Sequence, residues 1–298
     1  MLDFKVPEVA DREWASNCLS KASSMNCEYT FGNCYVWRTA YSSKICRYKD
    51  FYLSMWGRGK DLNYSLPIGS GDFKDAVLRI IEDADERGIT PKIYGVTGSY
   101  KERLDFFFPG KFSYSFDRGS ADYIYDVEKM ASLSGKKYHS KRNHITNFIK
   151  NNPDWKFEII DESNIGDCID FHTKWINERD SDNSDYSFEY EAVLDAFDNY
   201  FKLGFTGGLI KVNSKVIAYT FGEKMNEDVF VTHFEKAPAD MQGAYALINR
   251  EFTRNCLSSF KYVNREEDLN IDGLRKAKLS YNPEIILEKA VAVYDKKS

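Results

Sequence analysis

Between Gly135 and Lys150 the chain carries Lys136, Lys137, Lys141, Arg142 and Lys150 with His139 and His144, and not one acid. Over the whole chain acids prevail: 46 Asp/Glu against 41 Lys/Arg give a net charge of −5. The segment is therefore a local positive field, suited to a phosphate-bearing partner or substrate. The overall balance argues against general coating of nucleic acid, which depends on cations neutralising the backbone, and leaves a local RNA site open. His139 and His144 stand five apart with no acid or thiol beside them, so no metal site is expected there.

Three further sets lie in the second half. In the apolar run from Val229 to Glu235, strand alternation places Val229, Val231, His233 and Glu235 on one face. His233 and Glu235 together suit a general base and its orienting acid, or a polar pair satisfied on a sheet face. Next, Asp240 stands as the cap of a long amphipathic helix through Met241, Tyr245, Ile248, Phe252 and Cys256. A helix start there offers amides to a diphosphate such as that of coenzyme A, which an acidic cap would repel. Finally, Asp272 and Arg275 are three apart on a short helix, with Lys276 and Lys278 following. That spacing serves either a first-turn acid bridged to downstream bases or a catalytic acid beside a cation. Gly69-Ser70-Gly71 lacks the lysine of a phosphate loop and reads as a turn.

The elements that must position these residues follow from periodicity. At 298 residues, 43% apolar and 15% aromatic, the chain can bury two cores. No secretory pattern and no run of spanning length occurs, so a soluble cytoplasmic protein without a transmembrane segment is expected. Six cysteines without CxxC spacing read as free thiols. The first half predicts strands at Phe51–Trp56, Tyr64–Ile68, Ile93–Val96 and Asp122–Val127. It also predicts a helix capped by Asp72 through Ala76, Val77, Ile80, Ile81 and Ala84 to Gly88. The basic segment predicts an amphipathic helix with Tyr138, Ile145, Phe148 and Ile149 inward, ending before Pro153. Then follow a strand (Glu158–Ile160), a helix marked by Ile165, Ile169, His172 and Ile176, an acidic loop (Glu178–Asp185), and a helix from Val193 to Gly204. A three-stranded meander (Leu209–Val212, Val216–Phe221, Val229–Glu235) leads into the long helix, a strand (Phe260–Val263), the Asp272–Tyr281 helix and a last strand (Ile285–Val293). This order resembles the GNAT-like acyltransferase fold, in which two central strands splay apart to form the site.

The stretches Leu133–Asn143, Asp122–Tyr125, Leu66–Gly69 and Asp268–Lys278 resemble an uncharacterised bacterial family similar to the C-terminal catalytic domain of phosphatidylglycerol lysyltransferase. Leu133-Ser134-Gly135-Lys136-Lys137 and Gly273-Leu274-Arg275-Lys276-Ala277-Lys278 are its more specific parts. The resemblance implies an α/β (α+β) fold with tandem GNAT-like domains and mixed, mostly antiparallel sheets, as also in the Fem peptidyltransferases. On that reading 1–134 is one domain, 135–152 a basic linking helix and 153–298 a second domain. It implies an aminoacyltransferase that takes aminoacyl-tRNA as donor, a co-substrate rather than a cofactor, and gives to a hydroxyl or amine. By motif, Asp272 and Arg275 match the acid and arginine of the transfer site, and Lys136, Lys137, Lys141 and Arg142 the basic helix; His233, Glu235 and Lys278 complete the expected substrate contacts. The membrane-spanning half of the lysyltransferase has no counterpart in these residues, which leaves a membrane lipid as one acceptor among others. The alternatives are a coenzyme A-dependent N-acyltransferase and a non-catalytic phosphate- or RNA-binding module.

Overall fold

The structure, a computed structural model, describes residues 1–177 and 184–296. Among them the earlier strands are β1 (Lys44–Tyr48), β2 (Phe51–Trp56), β3 (Asn63–Ser65), β4 (Ile68–Gly69), β5 (Lys92–Val96), β6 (Phe112–Phe116) and β7 (Asp122–Asp126). Later come β8 (Lys156–Ile159), β9 (Thr206–Val212), β10 (Lys215–Lys224), β11 (Val229–Lys236), β12 (Tyr262–Asn264), β13 (Ile285–Leu287) and β14 (Ala290–Tyr294). The chain divides into two units: Met1–Tyr123 with Glu267–Arg275 and the segment from Ile286 onward, and Ile124–Glu266 with Lys276–Ile285. This division differs from the partition read from sequence at 135–152, because two late segments pack with the first unit.

The first unit is built on a sheet ordered β1-β2-β3-β5-β14-β6, with β4 beside β2. Its helix Phe73–Glu86 starts where the Asp72 side chain accepts the Asp75 amide, 3.0 Å away, and buries Ala76, Val77, Ile80, Ile81 and Ala84 as the spacing predicts. The strand expected over Tyr64–Ile68 is instead two, β3 and β4, separated at Leu66-Pro67. Proline has no amide to give a ladder, so the break falls at its position.

In the second unit β9, β10 and β11 form the expected antiparallel meander, flanked by β8, and β12 runs parallel to β11. On its other side β12 pairs antiparallel with the Ile124–Asp126 part of β7. The helices Ile165–Asn177 and Ala244–Cys256 cover the sheet and bury Trp175, Leu247, Ile248 and Phe252 against it. Full burial of each such side chain is worth about 2–3 kcal/mol. The basic segment is a 3₁₀ turn, Lys136–Tyr138, followed by a helix, His139–Asn151, with Tyr138, Ile145 and Phe148 buried. The long helix begins at Ala244, capped by Gly243 at φ 96°, so neither Asp240 as cap nor Met241 as a helical residue holds.

The last strand expected at Ile285–Val293 is also two pieces. β14 sits between β5 and β6 in the first unit, antiparallel to both. The break coincides with Lys289, whose side chain is 2% exposed among acids, an arrangement that a regular strand edge would not give. The acidic loop at Glu178–Asp185 falls at 178–183 outside the described residues, and a helix runs over Ser184–Asp198.

Candidate active site

Two irregularities in the second unit create its polar centre. β11 pairs with β12 only over Val229–Val231 and then runs on to Lys236, while the chain beyond Asn264 turns at Glu266, φ 58°. The far end of β11 therefore meets side chains of residues 265–266 instead of a backbone ladder. The second irregularity is a bulge: Phe221 pairs with Phe234, but Gly222 pairs with Thr232, which makes His233 the extra residue. Gly222 permits it, since a Cβ there would lie 1.9 Å from the Val231 carbonyl oxygen.

The bulge sets His233 between two carboxylates. Nε2 lies 2.9 Å from Glu223 Oε1, and Nδ1 lies 2.9 Å from Glu266 Oε1. Burial alone would lower its pKa, but the two acids more than offset this and raise it from 6.5 to about 9. His233 is thus an imidazolium at neutral pH, donating from both nitrogens, and unsuited to be the general base that its spacing with Glu235 suggests. That expected pair is not made, because the bulge interrupts the alternation.

Glu235 has other partners. Arg265 Nη2 donates to its Oε1 at 2.7 Å, and Asn249 Nδ2 to its Oε2 at 3.1 Å. The Arg265 guanidinium lies 5.0 Å from the Tyr281 ring centre and 5.7 Å from that of Tyr125, and Lys141 Nζ lies 3.9 Å from the Tyr281 ring centre. Burial, and then the neighbouring Arg265 charge, push the Lys141 ammonium down from 10.5 to about 8. Lys141 is the cation of the basic segment that the fold brings to the Tyr281 ring, where the Glu235 charge acts on it. Lys136 and Lys137 stay exposed. Arg142 donates to the carbonyls of Leu133 and, at 2.8 Å, Gly135, and Lys278 donates to those of Arg265 and, at 3.1 Å, Glu266. These two cations hold backbone in place: Arg142 the end of the preceding helix, Lys278 the turn that carries Arg265 and Glu266.

In the first unit Arg275 meets an acid other than the expected one. Its Nε and Nη2 clamp Asp268 at 2.8 and 2.9 Å, and Nη2 also reaches Asn270 Oδ1 at 2.8 Å, while Asp272 opens its helix on the surface. Tyr123 donates to Asp268 at 2.6 Å, and hydrogen bonds led by Arg275 hold this carboxyl well below its usual range. Nearby Lys289 Nζ contacts Asp122 at 2.9 Å, Glu28 at 3.2 Å, Glu267, and Cys27 Sγ at 3.7 Å. Donor atoms of Cys27, Asp122 and Glu267 lie within 4.8 Å of one another, close enough for a metal, but the Lys289 ammonium already supplies the positive charge among them.

Arg265, Asn249, Glu223, Glu266 and Asp268 escaped the sequence reading. Two signals pointed to them: the charged run Arg265-Glu266-Glu267-Asp268 directly after a strand, and Asn249 one turn from Tyr245 beside the apolar stripe of its helix.

A sequence model for a family described as phosphatidylglycerol lysyltransferase, C-terminal, matches residues 21–293. The chain belongs to that family. Among solved structures, a conserved protein of unknown function from Bacteroides thetaiotaomicron VPI-5482 is 38% identical, with a TM-score of 0.93 over 99% of this chain and 100% of the other. L-PGS from Bacillus licheniformis shares the fold at 14% identity, with a TM-score of 0.64 over 86% of this chain and 85% of the other. An uncharacterised protein of Mycoplasmoides gallisepticum is 27% identical over 175 residues, 57% of this chain and 55% of its own, so the chain spans about half the length of this curated relative. With its two mostly antiparallel sheets, the family member has the mixed α/β fold of tandem GNAT-like acyltransferases. Among the described residues no helix is long and apolar enough to cross a membrane.

Proposed function

We propose that the protein transfers an activated aminoacyl group, with aminoacyl-tRNA as donor, to a hydroxyl or amine acceptor. The observation that carries this reading is Lys141 and Arg265 set against one ring, Tyr281, with Arg265 paired to Glu235 where β11 and β12 part. An aminoacyl ester needs no further activation: transfer requires orientation, removal of a proton from the nucleophile, and a counter-charge for the tetrahedral oxyanion. Lys141, lowered to about 8, is a neutral amine in about one molecule in ten at pH 7, and in that form it can take the proton. Its gain of charge then coincides with the negative charge developing on the ester oxygen, which Arg265 also faces.

Lys136 and Lys137, exposed on the turn before the basic helix, are assigned to phosphates of the donor. Asp272 keeps a role as a surface acid toward the acceptor, and Arg275 fixes the 268–272 loop through Asp268. A lipid hydroxyl, as the description of the family suggests, is the first acceptor to test, reached by peripheral contact. At Gly243 a Cβ would lie 2.4 Å from the His144 carbonyl oxygen, so only glycine lets the start of the long helix pack this closely on the basic helix.

The test offers the protein a pool of tRNA charged with labelled amino acids, phosphatidylglycerol vesicles and a soluble amine, with labelled acetyl-coenzyme A in a parallel reaction. Label moving from tRNA to an acceptor, and lost in Lys141→Met with melting unchanged, is the expected result. Acetyl transfer in its place would overturn the donor assignment, and RNA binding without turnover would make the protein a binding module.

A further inference from the structure

β6 ends the sheet of the first unit: β14 is its partner, and among the described residues no strand lies on its other side. The ladder to β14 fixes which backbone groups remain. Val293 stands opposite Ser113 and Val291 opposite Ser115, and one step beyond the Tyr294–Phe112 pair the Asp295 amide donates to the Lys111 carbonyl at 2.8 Å. Strand alternation therefore turns the amides and carbonyls of Ser113 and Ser115 toward β14, and those of Phe112, Tyr114 and Phe116 outward. Edges of this kind are commonly blunted by a lysine, a proline or a bulge within the strand. From Phe112 to Phe116 β6 has neither lysine nor proline, and it pairs with β14 without a register shift.

Read outward from Tyr114, the segment is a palindrome of Ser, then Phe, then opposite charges, Lys111 on one side and Asp117 on the other. We infer that β6 pairs antiparallel with β6 of a second copy of this chain, across a two-fold axis at Tyr114, so that the first sheet continues through two molecules. That register sets Tyr114 against its own copy and Phe112 against Phe116, and each of these outward-facing pairs exchanges two hydrogen bonds. Ser113 meets Ser115 on the other face, and Lys111 meets Asp117 at both ends. Asp117 is exposed, and its carboxylate is held in place by the Gly119 amide at 3.1 Å and Asn270 Nδ2 at 3.1 Å. Phe116, 58% exposed in the single chain, gains an aromatic neighbour in the partner's Phe112. A slip of one residue would oppose outward groups to inward ones, and a slip of two would lose the charge pairs. One pair of short strands buries less than a standard interface of about 1,600 Å², so association is expected at about micromolar strength or weaker.

Sedimentation equilibrium of the full chain from about 1 μM to about 1 mM should show the average mass rising toward that of two chains. Phe116→Pro removes an outward amide and no bond to β14, so it should stay at one chain throughout with its melting unchanged. Lys111→Glu sets two acids together at each end of the pairing and should weaken association about threefold or more. The register is read by mild oxidation of Ser113→Cys mixed with Ser115→Cys. These positions oppose each other as a non-hydrogen-bonded pair about 4.5 Å apart, within reach of a disulfide, so the mixture should cross-link two chains well beyond wild type or either variant alone. Wild type that stays at one chain across the range overturns the inference. So does self-association that survives both Phe116→Pro and Lys111→Glu, or cross-linking no greater in the mixture than in its components. Should Phe116→Pro melt lower, Lys111→Glu and the cysteine mixture decide.

Discussion

Asp268 has no exposed surface and accepts hydrogen bonds from Arg275, Arg118 and Tyr123, whereas Asp272, four residues on, faces solvent. Asp268→Ala strands the guanidinium of Arg275 and the hydroxyl of Tyr123, and should cost about 3 kcal/mol in a denaturant titration. Asp272→Ala should stay within about 0.5 kcal/mol of wild type, so any loss of transfer in that variant reports chemistry and not folding. His233 gives a prediction with a sign. Its folded pKa of about 9 lies above the unfolded 6.5, so its contribution is complete below pH about 6.5 and is lost as pH rises through about 9. By linkage the contribution is about 3 kcal/mol. Denaturant midpoints should therefore fall across that window in wild type, and the fall should flatten in His233→Gln. Spacing could identify His233 as a polar residue on a strand but not its partners: Glu223 and Glu266 arrive from 10 and 33 residues away.

Strands and helices explain how the centre is held open. Gly222 faces the Val231 carbonyl at a distance that excludes any side chain, so Gly222→Ala must drive β10 and β11 apart or undo the bulge. The expected outcome is a loss of about 3 kcal/mol and displaced His233 ring resonances; unchanged resonances would mean that the bulge does not depend on this glycine. Regular elements were legible in the sequence because each has one apolar period: the helix after Asp72, the β9–β11 meander and the long helix through Ile248 and Phe252 all lie where their spacing puts them. The site was only half legible. Lys141 and Glu235 stood out by type, while Arg265 and Asn249 join them through a strand divergence and a bulge, and neither feature leaves a periodic trace. The Asp272–Arg275 pairing failed for a related reason: helical spacing proposes a partner within the helix, and the loop before it offered Asp268, buried and better placed.

On the scale of the whole chain, the polypeptide passes between its two units four times, after Tyr123, Glu266, Arg275 and Ile285. β14 lies between β5 and β6, and Lys289 just before it joins Asp122, Glu28 and Glu267. A chain stopped after Glu288 would lose both. Amide exchange in β5 and β6 should then rise toward that of an open sheet, while β9–β11 in the second unit keep their protection. Equal protection of β5 and β6 in the shortened chain would show that the first sheet holds without its inserted strand. The placement of β14 also sets an order of events on the ribosome. Residues 124–285 are all available before Ala290–Tyr294 emerge, so the unit encoded later can finish folding while the earlier one waits with two bare strand edges. During synthesis the hazard lies in those waiting edges, and a cell that makes this protein quickly would need to shield them until the last strand arrives.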